Sequence, residues 1–348
     1  MHTGGEIMNS QLDPGCIIQT GMGFWASKAL LSAVELNVFS VLGDKAITGA
    51  ELTRALGLHN RANPDFFDTL LTLGFLERDG DGPAARYRNT AETATFLDKT
   101  KSTYVGGILE MANSRLFRFW ADLTEALKTG KPQNETKNGG QSMFDELYAD
   151  PARLEQFVEA MSGVSTGNFM ALAEKFDFSK YKTLCDVGGA AGILSIMVAT
   201  RHKHMSCTTT DLPMVSPIAK KKIARFGLSE RIQTKDLDFF KEPLLKADVI
   251  TMGMILHDWD LENKIMLIRK AYDALPEGGA FIAVDAIIDD ARRQNAFGML
   301  MSLNMLIEFG VAFDYTGADF TRWCKEVGFK RTEIIPLAGF SSAAVAFK

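Results

Sequence analysis

The chain is poor in cysteine and histidine and has no long apolar run. Its four cysteines (Cys16, Cys185, Cys207, Cys324) are spread over 348 residues with no Cys-x-x-Cys pair. That spacing excludes a disulfide-built scaffold and a cysteine zinc site. Polar residues interrupt every apolar stretch well short of about 18 residues, so no membrane span is expected. The opening MHTGGEIMNSQLDPG has no basic segment followed by an apolar one, so no signal peptide is expected. Together these place the protein in the cytoplasm. Positive charge is not in excess: 38 Lys and Arg stand against 43 Asp and Glu, a net charge of −5. Nucleic acid and lipid surfaces are therefore disfavoured as partners. Of the five histidines, His2, His59, His202 and His204 lie in tails or surface segments, which leaves His257. What remains is an ordinary globular composition, 46% hydrophobic and 23% charged, long enough for two or three domains with real cores.

Residues 16–58 carry helix-period apolar spacing from Phe24 to Leu42. Thr48, followed three residues on by Glu51, reads as a capping box that starts a short helix. Asn63-Pro64 opens another, with Pro64 at its first position. The turn-rich LERDGDGPAARYRNT then lies between two extended segments. This is the order of a winged helix. Residues 21–100, however, hold eight Lys or Arg against ten Asp or Glu, whereas a DNA-reading wing is basic. A packing or dimerisation module is the expected reading. Helical segments follow over 103–130 and 143–177.

After residue 180 short apolar runs alternate with helical segments. The strands are KTLCDV, SCTTT, RIQT, ADVITM, AFIAV, RTEII and AAVAF. The alternation predicts an α/β fold with a parallel, doubly wound sheet. No helix separates the last two strands, so they should form an antiparallel hairpin at one edge.

Chemistry concentrates at the ends of these strands. Asp186-Val187-Gly188-Gly189-Ala190-Ala191-Gly192 is a glycine turn between a strand and a helix, where backbone can approach a ligand. Val187 stands where the dinucleotide fingerprint needs glycine, which disfavours NAD. Asp211 ends the next strand, suitably placed to accept both hydroxyls of a ribose. Asp238 and Phe239 follow the third strand, where a carboxylate and a ring can hold an adenine; Asp236 competes with Asp238. His257, in ILHDWD after the fourth strand, has the ordinary pKa of a base at neutral pH. Asp258 and Asp260 read as caps of the following helix. Asp285 ends the fifth strand and Asp314 precedes the helix GADFTRWC; either can accept a hydrogen bond from the imidazole.

At these residues the sequence resembles the S-adenosylmethionine-dependent O-methyltransferases of the caffeic acid and acetylserotonin type, including bacterial secondary-metabolite relatives. The likeness rests on DVGGAAG, TTDLPMV, LDFFKEPL, KADVITMGMILHDWD, AYDALPEGGAFIAVDAI and SLNMLIEFGVAFDYTGADF, and covers nearly the whole chain. It implies a Rossmann-like seven-stranded class I methyltransferase sheet behind a helical winged-helix dimerisation domain, divided as 1–105 and 106–348. It implies a homodimer. It assigns S-adenosylmethionine, leaving as S-adenosylhomocysteine, to Gly188, Asp211, Leu212, Asp238, Phe239 and Gly253. His257 becomes the general base, flanked by Asp285 and Asp314, and no metal is needed. The acceptor is a small aromatic molecule, expected to react through a phenolic hydroxyl. Its walls are expected from Phe117, Trp120, Phe144, Met161, Phe297, Met301, Asn304, Met305 and Phe309, with Asn304 as the polar contact. Gly253, Tyr315 and Asp285 depart from the residues frequent in relatives. The alternatives are a relative with carbon or nitrogen methylation or non-methylating chemistry, and a ligand-binding winged-helix regulator.

Overall fold

A computed structural model describes residues 12–101, 103–139 and 147–348. The chain forms two compact units, Met1–Asn113 and Ser114–Lys348.

In the first unit, helices Gly15–Gly21, Gly23–Glu35 and Val38–Leu42 lead to the short strand β1 (Ile47–Thr48). The capping box forms as expected: the Glu51 amide donates to Thr48 Oγ1 and the Thr48 amide to the Glu51 carboxylate, starting helix Gly49–Ala55. The next helix is Asp65–Thr72, and Pro64 sits one residue before it rather than at its first position. Strands β2 (Leu76–Asp79) and β3 (Arg86–Asn89) form the antiparallel wing, with β1 paired to β3. Val34, Val38, Phe39, Leu52, Phe67, Leu70 and Tyr87 make its core. Two of the wing's three arginines are paired locally, Arg78 with Asp68 at 2.8 Å and Arg88 with Glu77 at 2.7 Å, while Arg86 donates to the Ala46 carbonyl. The front helices leave Ile17, Ile18, Phe24 and Trp25 exposed, Ile17 by 75% and Trp25 by 63%, and Leu12 before them is exposed too.

The second unit is built on β4 (Thr183–Val187), β5 (Ser206–Asp211), β6 (Ile232–Asp236), β7 (Val249–Gly253), β8 (Ala280–Asp285), β9 (Arg331–Pro336) and β10 (Ser342–Phe347). All seven strands fall where the apolar runs predict them. Their order is β6-β5-β4-β7-β8-β10-β9. The first five are parallel, while β10 runs antiparallel to both β8 and β9. The last two strands form the antiparallel hairpin expected at one edge, joined to the sheet through β10, which lies between β8 and β9. Composition explains the choice. Ser-Ala-Ala-Val-Ala-Phe of β10 is apolar enough to be covered on both sides, while Arg331, Thr332 and Glu333 give β9 a polar, solvent-tolerant edge.

Side chains alternate between two cores. In β8, Ala280, Ile282 and Val284 face the core covered by helices Pro151–Lys175, Ile193–Arg201 and Ser216–Arg225. Phe281 and Ala283 face the other, covered by Leu261–Ala274 and Gly317–Val327. Strand order reverses between β4 and β7. Chains leave these two strands in opposite directions, opening the crevice where such sheets bind ligands. No helix among the described residues is long and apolar enough to cross a membrane.

Candidate active site

The glycine turn leaves β4 at this switch point. Gly188 and Gly192 have φ of +65° and +74°, values that favour glycine, and Ala190 adopts +47° between them. Gly189 is required by space. A Cβ there would lie 2.1 Å from Thr209 Oγ1 and 2.7 Å from Asp186 Oδ2. Asp186 is fully buried beneath the turn and accepts from the Thr251 hydroxyl at 2.8 Å. Burial raises its carboxyl to about 7, against that hydrogen bond.

Asp211, at the end of β5, is tied to the turn. Its Oδ2 accepts from the Ala190 amide at 2.9 Å and its Oδ1 from the Leu212 amide at 2.8 Å. Burial raises this carboxyl despite both amides. Leu212 and Ala190 pack under Leu154 and Val158 of helix Pro151–Lys175. That helix carries Met161 one turn beyond Phe157 and Val158, on the side of the glycine turn. Asp236 is engaged by the Ser216 hydroxyl. Asp238 caps its own turn, accepting from the Phe240 amide at 3.0 Å, and pairs with Lys241 at 2.9 Å. Phe239 lies beside the glycine turn: a Cβ on Gly188 would be 3.7 Å from its ring and 2.5 Å from Ile255 Cδ1. Gly253 ends β7 under Phe169, whose ring would lie 2.8 Å from any Cβ there. Phe169 thus takes space a longer side chain at 253 would need. Met254 follows at φ +59°, a left-handed conformation costly for a non-glycine residue.

His257 sits two residues beyond Ile255, in the short 3-10 turn Leu256–Asp258, and is buried. Asp314 Oδ1 lies 3.4 Å from its Nδ1 and Asp258 Oδ1 lies 3.3 Å from its Nε2. Asp285 holds a different bond: it accepts from the Tyr315 hydroxyl at 2.6 Å. Of the two carboxylates predicted to orient the ring, Asp314 faces it directly and Asp285 acts on it through charge. Burial alone would push the imidazolium's pKa down. The charge of Asp258, the approach of the Asp314 carboxylate to Nδ1 and the charges of Asp285 and Asp314 outweigh it and raise His257 to about 10. Burial likewise lifts Asp285 to about 7 and Asp258 to about 6, partly opposed by His257.

One of the two expected caps does not form. Asp260 does cap helix Leu261–Ala274, accepting from the Asn263 amide at 2.9 Å. Asp258 does not, because the 3-10 turn directs it onto the imidazole. Lys264 was not singled out, although a signal existed: with Leu267, Ile268 and Ala271 it falls on the helix's buried stripe. Its ammonium is buried, donates to the Trp259 carbonyl oxygen and lies 3.8 Å from the Phe313 ring centroid.

The acceptor walls divide. Trp120 Nε1 donates to Asn304 Oδ1 at 2.9 Å. An indole can only donate, so this bond fixes the amide and leaves its NH2 as the group on offer. Met301 and Met305 share helix Ala296–Phe309 with Asn304, and Met305 is buried. That helix packs on the His257 turn. Glu308, one turn beyond Asn304, is buried and pairs with Arg115, which also grips Glu135 through two bonds of 2.6 and 2.8 Å. Phe297 is not part of the walls; it is exposed and stacks on Phe340 at 5.0 Å. Phe144 lies outside the described residues.

An O-methyltransferase domain family matches residues 120–330, and an O-methyltransferase dimerisation domain matches residues 18–99. The chain is 38% identical to the tetracenomycin polyketide synthesis 8-O-methyl transferase of Streptomyces glaucescens, over 96% of this chain and 97% of that one. It is 32% identical to an N,N-dimethyltransferase of Streptomyces rimosus, over 90% of each. Human N-acetylserotonin methyltransferase, solved in complex with S-adenosylmethionine, superposes with a TM-score of 0.89 at 26% identity, covering 98% of this chain and 99% of that one. The glycine turn, the seven-stranded sheet and these matches lead to one conclusion: the chain belongs to the O-methyltransferase family and carries that family's dimerisation domain at its front.

Proposed function

We propose that the protein transfers a methyl group from S-adenosylmethionine to a phenolic hydroxyl of a small aromatic acceptor, with His257 as general base. One observation carries this reading. The segment bearing His257 adjoins the glycine turn, since Ile255 closes directly on Gly188. A proton acceptor and the glycine turn thus share one switch point.

The residues fit the cofactor. The turn at Gly188 offers close-approaching backbone for its methionine part, Asp211 a carboxylate for vicinal hydroxyls, Leu212 and Phe239 an apolar and aromatic seat for the adenine, and Asp238 a carboxylate to accept from the adenine amino group. Gly253 leaves room at the end of β7. Bound there, S-adenosylmethionine supplies a methyl group on a positively charged sulfur, already electrophilic. The protein's task is then alignment and proton removal. With the cofactor bound, His257 would take the proton of the acceptor hydroxyl and so free its oxygen to receive the methyl group. The products are the methyl ether and S-adenosylhomocysteine. Asp314 holds the Nδ1 side, and Asp258 and Asp285 stabilise the imidazolium charge. The Asn304 amide NH2 and Met301, Met305, Trp120 and Met161 orient a flat acceptor.

A screen of labelled-methyl transfer from S-adenosylmethionine to phenols, hydroxyquinones, indoles and aryl amines tests the reading. Label in phenolic ethers supports it. Label confined to amines favours the second reading, nitrogen methylation, which the Streptomyces rimosus relative motivates. No transfer to any hydroxyl would overturn the proposal.

Because its carboxylate neighbours raise His257 to about 10, the proton-free ring is scarce at neutral pH. Activity is expected to climb with pH above 7, by up to about tenfold per unit, for an acceptor that does not itself titrate in that range. A profile already flat above pH 6.5, as an ordinary imidazole gives, would contradict this. The front unit joins two copies through the exposed surface bearing Ile17, Ile18, Phe24 and Trp25. Charging it with Ile17→Asp and Trp25→Asp is expected to convert the dimer to monomer in sedimentation velocity, and a persistent dimer would place the interface elsewhere.

A further inference from the structure

Between Met111 and Leu123 one helical stretch changes its winding repeatedly. A π turn, Ala112–Leu116, gives way to a short α turn, Phe117–Phe119, and a 3-10 turn, Trp120–Asp122, before the regular helix Leu123–Thr129 resumes. Interruptions of this kind weaken the regular ladder and collect at functional sites. Two side chains of this stretch reach helix Ala296–Phe309. Arg115 Nη2 donates to the Glu308 carboxylate at 3.1 Å, and Trp120 Nε1 donates to Asn304 Oδ1 at 2.9 Å. Residues five apart stand about 140° apart around a regular α-helix, yet here both meet the same neighbour. Their partners Asn304 and Glu308 are four apart, on one face of their helix. The two contacts therefore run antiparallel and define one register between the segments. Slipping it would cost both bonds.

Arg115 is the better anchored of the two. Its Nε and Nη2 also grip Glu135 at 2.6 and 2.8 Å, a bidentate pair. Its guanidinium lies 5.3 Å from the Phe119 ring centroid. The loop bearing Glu135 holds the end of the same helix: the Gln133 amide donates to the Ile307 carbonyl at 2.8 Å, and the Asn134 side-chain amide to the Glu308 carbonyl at 2.7 Å. The Arg115 and Glu308 side chains are only 14% and 4% exposed. A pair this enclosed adds little net stability over apolar residues of the same volume, so its use lies in the geometry it enforces.

We propose that Arg115 is a positioning residue for the acceptor site: by holding Glu308 and Glu135 together it sets the register of helix Ala296–Phe309 against the Trp120 segment, and so fixes the Asn304 amide with its NH2 on offer to the acceptor. This rests on the proposed acceptor site for its consequence in turnover, but not for the coupling of Arg115 to the Trp120–Asn304 bond.

The test follows the indole N–H resonances of ligand-free protein labelled with 15N-tryptophan. The chain has four tryptophans, Trp25, Trp120, Trp259 and Trp323, and Trp120→Phe identifies the signal of interest. In Arg115→Met, solvent exchange of the Trp120 indole proton is expected to quicken by roughly tenfold, as for the loss of about one hydrogen bond, with the Trp25 and Trp323 signals unmoved. Unchanged exchange in folded Arg115→Met overturns the proposal. That variant also strands the buried Glu308 carboxylate, so the measurement is repeated in Arg115→Met/Glu308→Leu, which removes both charges and fills the space. The double variant is expected to melt closer to wild type yet keep the fast exchange; wild-type exchange in it overturns the proposal. Neither readout needs donor or acceptor, so failure here is distinct from failure of the methyl-transfer reading. With an acceptor in hand, the double variant should raise the acceptor KM roughly tenfold while kcat and S-adenosylhomocysteine affinity stay within about twofold, the pattern of lost uniform binding. A wild-type KM would mark a structural pair only, and an equal loss of S-adenosylhomocysteine affinity a general disruption; either overturns the proposal.

Discussion

Replacing His257 by alanine is expected to lower kcat/KM for methyl transfer by roughly 10²–10⁴-fold, the usual range for losing a general base. At 1.36 kcal/mol per tenfold, this is about 3–5 kcal/mol of transition-state stabilisation. His257 is not among the proposed cofactor contacts, so calorimetric affinity for S-adenosylhomocysteine should change little. The substitution also leaves Asp258 and Asp314, 3.3 and 3.4 Å from the lost ring, without their shared countercharge. Some loss of thermal stability is therefore expected at pH 7. His257→Gln keeps the volume and a hydrogen-bonding amide but cannot take a proton, so it should be equally inactive while melting closer to wild type. Full activity in either variant would end the general-base assignment.

The second large effect belongs to Asp211. Its carboxylate is fixed by the Ala190 and Leu212 amides at the end of β5, and its proposed role is to accept from two ribose hydroxyls. Hydrogen bonds to a charged acceptor contribute about 1.5–3 kcal/mol each. Asp211→Ala is therefore expected to weaken S-adenosylhomocysteine binding by roughly 10²–10⁴-fold. Asp211→Asn, which keeps one carbonyl oxygen, should fall between that variant and wild type. Because the Ala190 amide would also lose its partner, the glycine turn itself is expected to loosen, visible as faster amide exchange at residues 188–192. Unaltered binding in Asp211→Ala would move the ribose site elsewhere.

The strands behind these sites were legible because both faces of the sheet are covered. Buried parallel strands read as short apolar runs such as ADVITM and AFIAV, and the helices between them carry the opposite periodicity. Capping signals were equally local: Thr48 with Glu51, and Asp260 with Asn263, involve neighbours three residues apart. Asp258 was misread for the same reason. Next to a helix start it looks like a cap, and only the 3-10 turn turns it onto the imidazole. Phe297 was misplaced because helical spacing puts it near Met301 without saying which face of the helix meets the crevice.

By itself, the sequence determined the α/β alternation, the glycine turn, the acidic and aromatic residues at strand ends, and a single histidine worth following. These are properties of residue type and spacing within one element or its nearest neighbour. Tertiary structure alone decided that β10 enters between β8 and β9, that Asp314 rather than Asp285 faces Nδ1, and that Tyr315 takes Asp285. It also decided that the Lys264 ammonium is buried against the Trp259 carbonyl and the Phe313 ring. Those outcomes depend on which distant segments meet in a low-dielectric interior. There, charges that look independent along the chain act on one another's protons.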